Sequence, residues 1–542
     1  MSSEVDRIVS SVREAQRLFA EFSQEQVDKV LDAMHAACMP NLEKWARMAH
    51  EETGYGLIAD KVIKNRFGAD DVYRYIRPMK TVGFLSADPG QGIYEVASPM
   101  GVVAAIIPST NPTSTAIYKV LISLKARNGI VLSPHPSAKN CIKAVADVMH
   151  DAAVAAGAPR GILACLPSPT IQDTQDLMRH HGVNVILATG GMGLVNAAYS
   201  SGKPAYGVGP GNVPAFIERT AVLRKAVKDV IAGKSFDWGT VCASEQAVIV
   251  DKPLAEMAKQ EFEAAGGYFA SGREKALLEA LMVDKEGRLN PKVVGKSPQT
   301  ISAMAGFSVP DGVRAILVPD DGVGPDYPLT LEKLSPVLSY FEADGWEAGC
   351  LRCIEVLNYG GLGHTLCLHT QDIEVIRQFA LKKPVFRIIV NSTGTHGAVG
   401  YSTNLPPSMT LGCGALGNNI TSDNITPLHL IDRKRVAFET RPVTDEKMVP
   451  LPPLMRPADG LEEAARRFVA QKLGPAGAPP QRAGANISAT PPRSIEGPVD
   501  FVSEADVRSA LGEGRKIRVH AKTLITPSAR DLGEQHRIFE KN

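Results

Sequence analysis

The sequence predicts an α/β protein with two doubly wound parallel-sheet domains, followed by a linker and a small C-terminal tail. Short buried apolar runs alternate with helical patterns in two successive blocks, and strands that alternate with helices form parallel sheets. The chain also has 542 residues, more than one hydrophobic core usually organises, so two or three domains are expected.

Helices are predicted first, over residues 4–80. Val5, Ile8 and Val12 recur at the spacing of one helical face. Residues 23–26 read Ser-Gln-Glu-Gln, a capping-box pattern that opens a second helix.

Two alternating blocks follow, at about 99–235 and 237–425. Apolar runs predict strands in the first block at 102–107, 129–133, 162–166 and 183–188, with helices at 113–126 and 138–156. In the second block they predict strands at 246–250, 313–318, 365–368 and 387–390. The domain boundaries are therefore set at 1–236, 237–425, 426–457 and 458–542.

The chain changes character after about residue 442, where prolines cluster. Residues 461–473 carry one apolar stripe on a short helix. The Pro-, Gly-, Ala- and Ser-rich stretch at 474–498 is typical of a flexible linker. Residues 500–542 then predict a small module whose last helix begins after the N-cap residue Thr526.

Composition narrows the class of protein. Hydrophobic residues make up 44% and charged residues 22%, as in an ordinary globular protein, and the net charge of +1 gives no attraction to nucleic acid or to an anionic membrane. The apolar run near 101–107 is too short to span a bilayer, and the first residues lack the pattern of a signal peptide. Eight cysteines in so long a chain do not make a disulfide framework. We expect a cytoplasmic protein with free thiols that binds neither nucleic acid nor membranes.

Cys242 is the candidate nucleophile. It ends the small-residue turn Gly-Thr-Val-Cys at 239–242, between a helical segment and the strand at 246–250. A thiolate can attack an aldehyde, and the thiohemiacetal can release hydride to NAD(P)⁺ and leave a thioester. A buried core cysteine is the commoner case, and two further motifs favour the catalytic interpretation here.

The first of these motifs contains Asn111. It lies just before Pro112 and just after the buried strand at 102–107, at the carboxyl edge of the predicted sheet. Its carboxamide could donate to the oxyanion that forms when the thiolate adds, with the Cys242 backbone N–H as a second donor. The alternative is a turn asparagine.

The second motif is a pair of turns that could hold a dinucleotide. One follows the strand at 183–188 and opens a helix, where backbone N–H groups can approach a pyrophosphate. It is not a full G-x-G-x-x-G pattern, so a plain tight turn is the alternative. The other turn follows the strand at 129–133, where ribose or adenine could lie. The candidate residues are Thr189, Gly190 and Gly191 in the first turn and Ser133, His135 and Pro136 in the second, with a surface-turn histidine as the alternative for His135.

Together these motifs resemble the aldehyde dehydrogenase superfamily, over roughly residues 1–440. The residues that carry the resemblance are Asn111-Pro112, Thr189-Gly190-Gly191, Gly-Thr-Val-Cys at 239–242 and Glu-Lys-Leu-Ser-Pro at 332–336. The resemblance implies a cofactor domain within 1–236 and a catalytic domain at 237–425. It also implies that Asn111 is the oxyanion donor, Cys242 the nucleophile and Glu332 the residue that holds the nicotinamide ribose. NAD is the implied cofactor, with NADP left open.

One departure from the family pattern bears on the second half of the reaction. Hydrolytic members carry a glutamate in a Glu-Leu-Gly-Gly stretch that activates water, whereas residues 206–212 here read Tyr-Gly-Val-Gly-Pro-Gly-Asn, with Val208 at that position. Without a general base the thioester should resist water and wait for a thiol such as coenzyme A. The stretches that resemble the CoA-acylating branch are the replacement around Gly209, Ser-Pro-His-Pro at 133–136, Gly-Gly-Leu-Gly-His at 360–364 and Thr-Leu-Gly-Cys-Gly at 410–414.

Several other side chains are weaker candidates. His364 could orient the thioester or assist CoA deprotonation, and a structural loop histidine is the equal alternative. His396 has a weaker case. Cys350 and Cys353 lack a second pair at zinc spacing, so we interpret them as helix packing and predict no metal site. Cys413 is interpreted as structural.

The tail is not needed for aldehyde oxidation. An amphipathic helix on a flexible linker usually docks into a groove of a partner, and this tail looks similar to the encapsulation peptides of CoA-acylating aldehyde dehydrogenases in bacterial microcompartments. Either 461–473 or 500–542 could be the targeting element, and a solvated appendage is the alternative. The resemblance also implies a homo-oligomer, a dimer or a tetramer, with an arm strand near 425–440.

These expectations combine into one hypothesis. The chain is expected to oxidise a short aldehyde, propionaldehyde or acetaldehyde, to acyl-CoA with NAD⁺ by a ping-pong mechanism, inside a bacterial microcompartment whose shell protein it could bind. Two alternatives stay open: an acyl-phosphate reductase of the same superfamily, and a non-catalytic scaffold associated with the shell.

Overall fold

The computed structural model describes residues 3–88, 91–167, 169–444, 499–502 and 504–541. The chain divides into two compact units, Met1–Met455 and Arg456–Asn542. None of the helices in the described ranges combines the length and the apolar character needed to cross a membrane.

The first unit holds most of the secondary structure. Its helices are α1 (Ser3–Phe19), α2 (Gln24–Cys38), α3 (Leu42–Thr53), α4 (Ile58–Arg66), α5 (Val72–Ile76), α6 (Pro112–Lys125), α7 (Lys139–Ala155), α8 (Ile171–Arg179), α9 (Met192–Tyr199), α10 (Leu223–Ser235), α11 (Ala255–Ala264), α12 (Gly272–Met282), α13 (Pro298–Ala305), α14 (Gly345–Gly360), α15 (Ile373–Lys382) and α16 (Gly394–Ala398). Its strands are β1 (Phe84–Asp88), β2 (Ile93–Pro99), β3 (Val102–Ile107), β4 (Gly129–Pro134), β5 (Leu163–Cys165), β6 (Val185–Thr189), β7 (Ala205–Val208), β8 (Val213–Ile217), β9 (Glu245–Asp251), β10 (Gly267–Phe269), β11 (Ala315–Pro319), β12 (Val337–Ala343), β13 (Leu366–His369), β14 (Ile388–Val390) and β15 (Ile431–Ala437).

The N-terminal helices confirm the prediction for residues 4–80. Val5, Ile8 and Val12 are buried on one face of α1, as their spacing predicts. The capping box of α2 is also present: the Gln26 N–H donates to the Ser23 hydroxyl, and the Ser23 N–H donates to the Gln26 side chain at 2.8 Å. The first helix contacts β3 and β4, so the N-terminal segment covers one face of the first sheet.

The first sheet has five strands in the order β5-β4-β3-β6-β7, and every pairing in it is parallel. The strand order reverses at β3, because the chain moves outward on one side through β4 and β5 and then returns to β6 on the other. In an open parallel sheet, ligands bind in the crevice at the carboxyl ends of the strands where the order reverses. The crevice between β3 and β6 is therefore where a ligand is expected.

A buried lysine ties the two sides of this crevice together. Lys119 lies on α6, which is buried along its whole length, and its Nζ donates to the carbonyl of Ile106 at 2.8 Å and to that of Leu187 at 2.9 Å. Burial holds the pKa of Lys119 well below its usual range. The side chain therefore donates hydrogen bonds that join the carboxyl ends of β3 and β6.

The second sheet has seven strands in the order β10-β11-β12-β9-β8-β13-β14, again all parallel. The predicted parallel α/β fold class is confirmed. The predicted domain boundary after residue 236 differs from the structure. β8 pairs with β9 and β13 of the second sheet, and α10 packs against β8 and β9. The chain thus passes from the first sheet to the second before residue 213, earlier than predicted. A short apolar run in the sequence, such as residues 213–217, can predict a strand, but it does not predict which sheet the strand joins.

The segment near 425–440 forms the predicted strand, β15, which pairs antiparallel with β2 in a separate three-stranded sheet, β1-β2-β15. β15 lies at the edge of that sheet, and most of its residues are exposed. An exposed edge strand can pair with another chain.

The second unit contains strands β16 (Val499–Val502), β17 (Ile517–Ile525) and β18 (Phe539–Lys541) and helices α17 (Glu504–Gly512) and α18 (Pro527–Gln535). The three strands form a parallel sheet in chain order. The predicted N-cap is confirmed, because the Thr526 hydroxyl accepts from the Ala529 N–H. The predicted helix at 461–473 and linker at 474–498 lie outside the described residues.

Candidate active site

A cleft of about 800 Å³ opens at the carboxyl ends of β3, β4 and β6, a size that suits a cofactor or substrate. The predicted site residues that line it are Asn111, Ser133, His135, Pro136, Thr189, Gly190, Gly191, Gly209, Cys242 and Glu332. Among the predicted site residues, His364 alone is not part of this lining. The structure therefore brings together residues that are up to 221 positions apart in the sequence, as the difference between 111 and 332 shows.

Cys242 lies on a strained turn that presents it to the cleft. Asp237 and Trp238 have positive φ angles of 47° and 51°, a region that costs energy for residues with a Cβ. Gly239 also has a positive φ, and a Cβ there would lie 2.9 Å from the Ser335 carbonyl oxygen. The Cys242 side chain is partly exposed, whereas its neighbours Val241 and Ala243 are buried.

The electrostatic surroundings keep the Cys242 thiol protonated. Burial, the charge of Glu332 and the neighbouring Cys413 raise the pKa of Cys242 to about 12, with Arg387 opposing the shift. Since only the thiolate attacks a carbonyl, the protein must remove this proton when the substrate and cofactor are bound.

Asn111 lies beside this turn, as the oxyanion hypothesis requires. It is the residue just before α6, and its Nδ2 donates to the Thr240 carbonyl at 3.2 Å. Thr240 is two residues before Cys242, so the carboxamide and the thiol share one corner of the cleft. A donor in that corner can stabilise negative charge on a carbonyl oxygen attacked by Cys242.

The two turns after β4 and β6 form the far end of the cleft. Gly191 precedes α9, and a Cβ at Gly191 or Gly193 would meet no atom within 4 Å, so open space lies in front of the helix N-terminus. The buried Thr189 hydroxyl has no hydrogen-bond partner. A helix N-terminus, open space in front of it and an unpaired hydroxyl are features that fit the pyrophosphate of a dinucleotide.

Glu332 lines the same cleft as these turns and Cys242. Its Oε1 accepts from the Gly211 N–H at 2.8 Å, and burial raises the pKa of Glu332 to about 7. Within the part of the chain that the structure describes, Glu332 is the only residue of the cleft lining with a carboxyl group. Val208, at the end of β7, also lines the cleft, in agreement with the absence of a carboxylate from residues 206–212.

Replacing Glu332 with glutamine is expected to have two opposite effects. Removal of the Glu332 charge lowers the pKa of Cys242. Above pH 7, where Glu332 is ionised in the wild type, iodoacetamide should therefore alkylate Cys242 faster in the variant. The rate should rise by up to about 10-fold if the pKa of Cys242 falls by one unit. Below pH 7 Glu332 is itself protonated, and the difference should disappear. At the same time the KM for NAD⁺ should rise, because the side chain is the predicted ribose ligand.

A Glu245→Gln variant is the matched control for this experiment. Burial also raises the pKa of the Glu245 carboxyl to about 7. Glu245 is not among the groups that shift the pKa of Cys242. Equal acceleration of alkylation in both variants would show that Glu332 does not act on Cys242 by its charge.

His364 is placed differently from the other predicted residues. It is buried behind Gly211, its Nδ1 lies 3.0 Å from the Thr365 hydroxyl, and its Nε2 has no hydrogen-bond partner. Burial and the nearby Arg387 lower the pKa of His364 to about 3, so the imidazole is neutral. A neutral imidazole can accept a proton, but His364 is fully buried and does not line the cleft.

All eight cysteines are free thiols. Cys165 and Cys242 are partly exposed, and the other six, which include Cys350, Cys353 and Cys413, are buried. Cys350 and Cys353 lie on α14 within an apolar cluster. In the described ranges no cluster of three metal-binding side chains occurs. His396 contacts Phe236 and Tyr401 and lies 2.8 Å from the Thr393 hydroxyl.

Sequence reasoning missed a buried charged cluster beneath the nucleophile. Lys61 and Lys64, both on α4, bind the carboxylate of Asp237, which lies five residues before Cys242. Lys64 Nζ also donates to Asn111 Oδ1 at 2.7 Å. In a sequence, a Lys-x-x-Lys pair on a helix normally indicates a face exposed to solvent. The buried cluster is therefore recognised only from the position of Asp237 beside the two lysines in the folded chain.

A second, much smaller cavity of about 30 Å³ lies on another side of the same turn. Val241 lines it, whereas the adjacent Cys242 lines the large cleft. Its remaining walls are mostly apolar or aromatic: Ile63, Phe67, Phe236, Val399, Tyr401 and Met409, together with Lys64, Thr395 and His396.

Comparisons with known proteins agree with this geometry. The family model described as "Aldehyde dehydrogenase family" matches residues 1–273. The chain is 43% identical over 441 residues to the bifunctional aldehyde-alcohol dehydrogenase AdhE of Escherichia coli (strain K12), which covers 80% of this chain and 49% of that protein. The chain thus spans about half the length of that curated relative.

Solved structures match over a similar part of the chain. An acetylating aldehyde dehydrogenase from Geobacillus thermoglucosidasius is 47% identical, with a TM-score of 0.80 over 82% of this chain and 98% of that one. A propionaldehyde dehydrogenase from the Clostridium phytofermentans fucose utilisation bacterial microcompartment is 26% identical, with a TM-score of 0.72 over 80% of this chain and 97% of that one. The chain belongs to the aldehyde dehydrogenase family.

Proposed function

We propose that the protein is a CoA-acylating aldehyde dehydrogenase that oxidises a short-chain aldehyde through a thioester on Cys242. The observation that carries the proposal is the content of one cleft: a cysteine, a carboxamide beside it, two open turns and no carboxylate at position 208. The acetylating relative from Geobacillus supports the CoA-dependent half of the reaction.

The first half-reaction acylates the enzyme. Cys242 Sγ loses its proton to water and adds as the thiolate to the aldehyde carbon, and the carbonyl oxygen becomes an oxyanion that accepts from Asn111 Nδ2 and the Cys242 N–H. Bound NAD⁺ supplies the hydride acceptor. When the carbonyl re-forms, the aldehyde hydrogen leaves with its electron pair, and an acyl group remains on Cys242.

The cofactor-binding roles follow from the lining of the cleft. The backbone at Gly190 and Gly191, in front of α9, would hold the pyrophosphate of NAD⁺, and Thr189 has a free hydroxyl beside it. The turn after β4 would contact the adenosine, through Ser133, His135 and Pro136. Glu332 would accept from the nicotinamide ribose. NAD rather than NADP is part of this proposal.

The second half-reaction transfers the acyl group. Val208 offers no base to water, so hydrolysis of the thioester is slow, and the sulfur of CoA displaces the Cys242 thiolate from the acyl carbon. The chain thereby alternates between free and acylated forms, which is a ping-pong mechanism.

Cys242 does not line the small cavity beside Val241, and we propose that this cavity takes the hydrocarbon end of a short aldehyde bound to Cys242. The cavity has little volume and mostly apolar walls, and the ammonium of Lys64 is already bound to Asp237 and Asn111. We expect kcat/KM to be highest from acetaldehyde to butyraldehyde, with propionaldehyde preferred, and to fall about 10- to 100-fold for longer or carboxylated aldehydes. A series of aldehydes assayed by NADH formation measures this, and a preference for a charged aldehyde would contradict it.

Trapping of the acyl-enzyme tests the mechanism. Incubation with propionaldehyde and NAD⁺, without CoA, should add one propionyl group to the intact protein, located on Cys242 by peptide mass spectrometry. Addition of CoA should remove that group and yield propionyl-CoA. Acylation that water removes at the same rate would contradict the proposal.

The proposal extends to location and assembly. The free thiols suit a reducing cytoplasm, and the relative from a microcompartment together with the tail supports encapsulation through residues 458–542 and a shell protein. The exposed edge of β15 supports a dimer or tetramer. Deletion of 458–542 should leave the turnover rate unchanged and abolish co-purification with microcompartments.

A further inference from the structure

We propose that Lys64 is a positioning residue of the oxyanion site, which sets the orientation of the Asn111 carboxamide and strengthens its N–H as a donor. This inference rests on the proposed function, because it concerns the step in which Cys242 adds to the aldehyde. It assigns a role to a buried lysine that is 47 residues from Asn111 in the sequence.

The first argument is geometric. Lys64 is 5% exposed, and its Nζ lies 2.7 Å from Asn111 Oδ1. An ammonium group only donates, so the carboxamide atom that faces it must be the oxygen. The amide nitrogen is thereby directed to the other side, where it lies 3.2 Å from the Thr240 carbonyl, next to the segment that carries Cys242.

The second argument concerns the orientation itself. A carboxamide can rotate by half a turn and exchange its oxygen and nitrogen. In the rotated state Asn111 would present oxygen lone pairs to the developing oxyanion, which would repel the negative charge. Lys64 excludes this state because it would bring the Asn111 NH₂ against an ammonium. The Thr240 carbonyl, which accepts from Nδ2, disfavours the rotated state as well, and Lys64 adds the charged partner on the oxygen side.

The third argument concerns strength. A charged donor on Oδ1 polarises the amide, so its N–H groups donate more strongly, as in other charge-assisted chains of hydrogen bonds. Lys64 also brings positive charge near the place where negative charge develops. Two further acceptors hold the ammonium in place, because Lys64 Nζ lies 3.3 Å from the Thr240 hydroxyl and 3.5 Å from the Thr110 backbone carbonyl.

The protein maintains this ammonium by a buried network. Burial and the neighbouring Lys61 lower the pKa of Lys64 to about 8, while the attraction of Asp237 raises it. The Asp237 carboxylate is fixed in turn by the Leu57 N–H at 2.7 Å and by Lys61 at 2.9 Å. A Cβ at Gly56 would lie 1.8 Å from Asp237 Oδ1, so the chain leaves space there for the carboxylate.

The alternative is that Lys64 only anchors α4 to the turn before Cys242. Lys61 separates the two roles: it lies on the same helix and binds the same Asp237 carboxylate, but makes no hydrogen bond to Asn111 in the described structure. Lys61→Met removes one anchor of the turn and leaves the partner of Asn111 in place. Lys61→Met is therefore the matched control for Lys64→Met. The methionine in Lys64→Met keeps most of the aliphatic part of the lysine side chain, which lines the small cavity.

The experiment is a double-mutant cycle on the full chain. The rate of NADH formation from propionaldehyde, NAD⁺ and CoA is measured for wild type, Lys64→Met, Asn111→Ala and the double variant, with Lys61→Met beside them. We expect Lys64→Met to lower kcat about 10- to 100-fold, somewhat less than loss of an oxyanion donor, with the KM for NAD⁺ changed less than about 3-fold. The double variant should be no slower than Asn111→Ala, because Lys64 acts through Asn111. In Lys61→Met the hydrogen bond between Lys64 and Asn111 remains, so kcat should fall less than about 5-fold.

Three outcomes would overturn the inference: losses that multiply in the double variant, an equal loss in Lys61→Met, or wild-type kcat in Lys64→Met. If Lys64→Met does not fold, Lys64→Arg decides, because a guanidinium also only donates and should retain more activity than Lys64→Gln, which can present either atom. A wild type that forms no acyl-CoA would overturn the proposed function and this inference with it. An active wild type with multiplicative losses would overturn the inference alone.

Discussion

Replacing Cys242 with alanine is expected to abolish aldehyde-dependent NADH formation, with a loss of about 10⁴-fold or more. A methyl group cannot form the bond to the aldehyde carbon, and the cleft lining contains no other thiol among the described residues. Asn111 and the cofactor turns would remain, but they have no addition product to stabilise. The measurement is NADH absorbance with propionaldehyde, NAD⁺ and CoA.

Cys413→Ala is the matched control for this loss. Cys413 is a neighbouring thiol that acts on the pKa of Cys242, but it is buried outside the cleft lining. Its removal should leave kcat within a few-fold of wild type. If Cys413→Ala abolished turnover and Cys242→Ala did not, the nucleophile would be wrongly assigned.

Replacing Gly211 with alanine is expected to lower kcat by about 10²-fold or more, because displacement of a reacting group by about 1 Å costs that much. A Cβ at Gly211 would lie 2.2 Å from the Cys242 carbonyl oxygen and 3.1 Å from the His364 ring. Real atoms do not approach so closely, so either the Cys242 peptide moves or Gly211 retreats. Retreat would also move Glu332, which accepts from the Gly211 N–H.

Gly360→Ala separates this steric effect from a general cost of replacing glycine. Its Cβ would meet only the Cβ of Asn212, at an ordinary 3.9 Å. This variant should retain nearly all of the activity, and both variants should be compared by thermal melting and by kcat. Wild-type kcat in a folded Gly211→Ala protein would show that the catalytic thiol is not held where the structure has it.

The parallel fold follows from local patterns because buried strands of such sheets are short, continuous apolar runs. β3 and β6 were predicted to within a few residues for that reason. β12, near the middle of the second sheet, was missed because its sequence Val-Leu-Ser-Tyr-Phe-Glu-Ala mixes polar and apolar residues. The predicted boundary after residue 236 lies too late for another reason: the pairing of residues 213–217 with the second sheet depends on contacts remote in sequence.

The candidate site was predictable to the extent that its residues follow strands. Asn111 and Thr189 each come directly after or at the end of a strand, and the carboxyl ends of parallel strands meet at one edge of the sheet. Lys64 could not be found in this way. It comes from α4, and its partner Asp237 is 173 residues further along the chain. Only the folded chain places the pair beneath Cys242.

The most direct test of the account is the dependence of NADH formation on coenzyme A, measured at 340 nm with propionaldehyde and NAD⁺. Without CoA we predict one NADH per active site and then no further rise, because Val208 supplies no base to the thioester. With CoA the absorbance should rise continuously, and propionyl-CoA should accumulate in equal amount. A sustained rise without CoA, at the rate seen with CoA, would show that water reaches the acylated cysteine and would contradict the central claim.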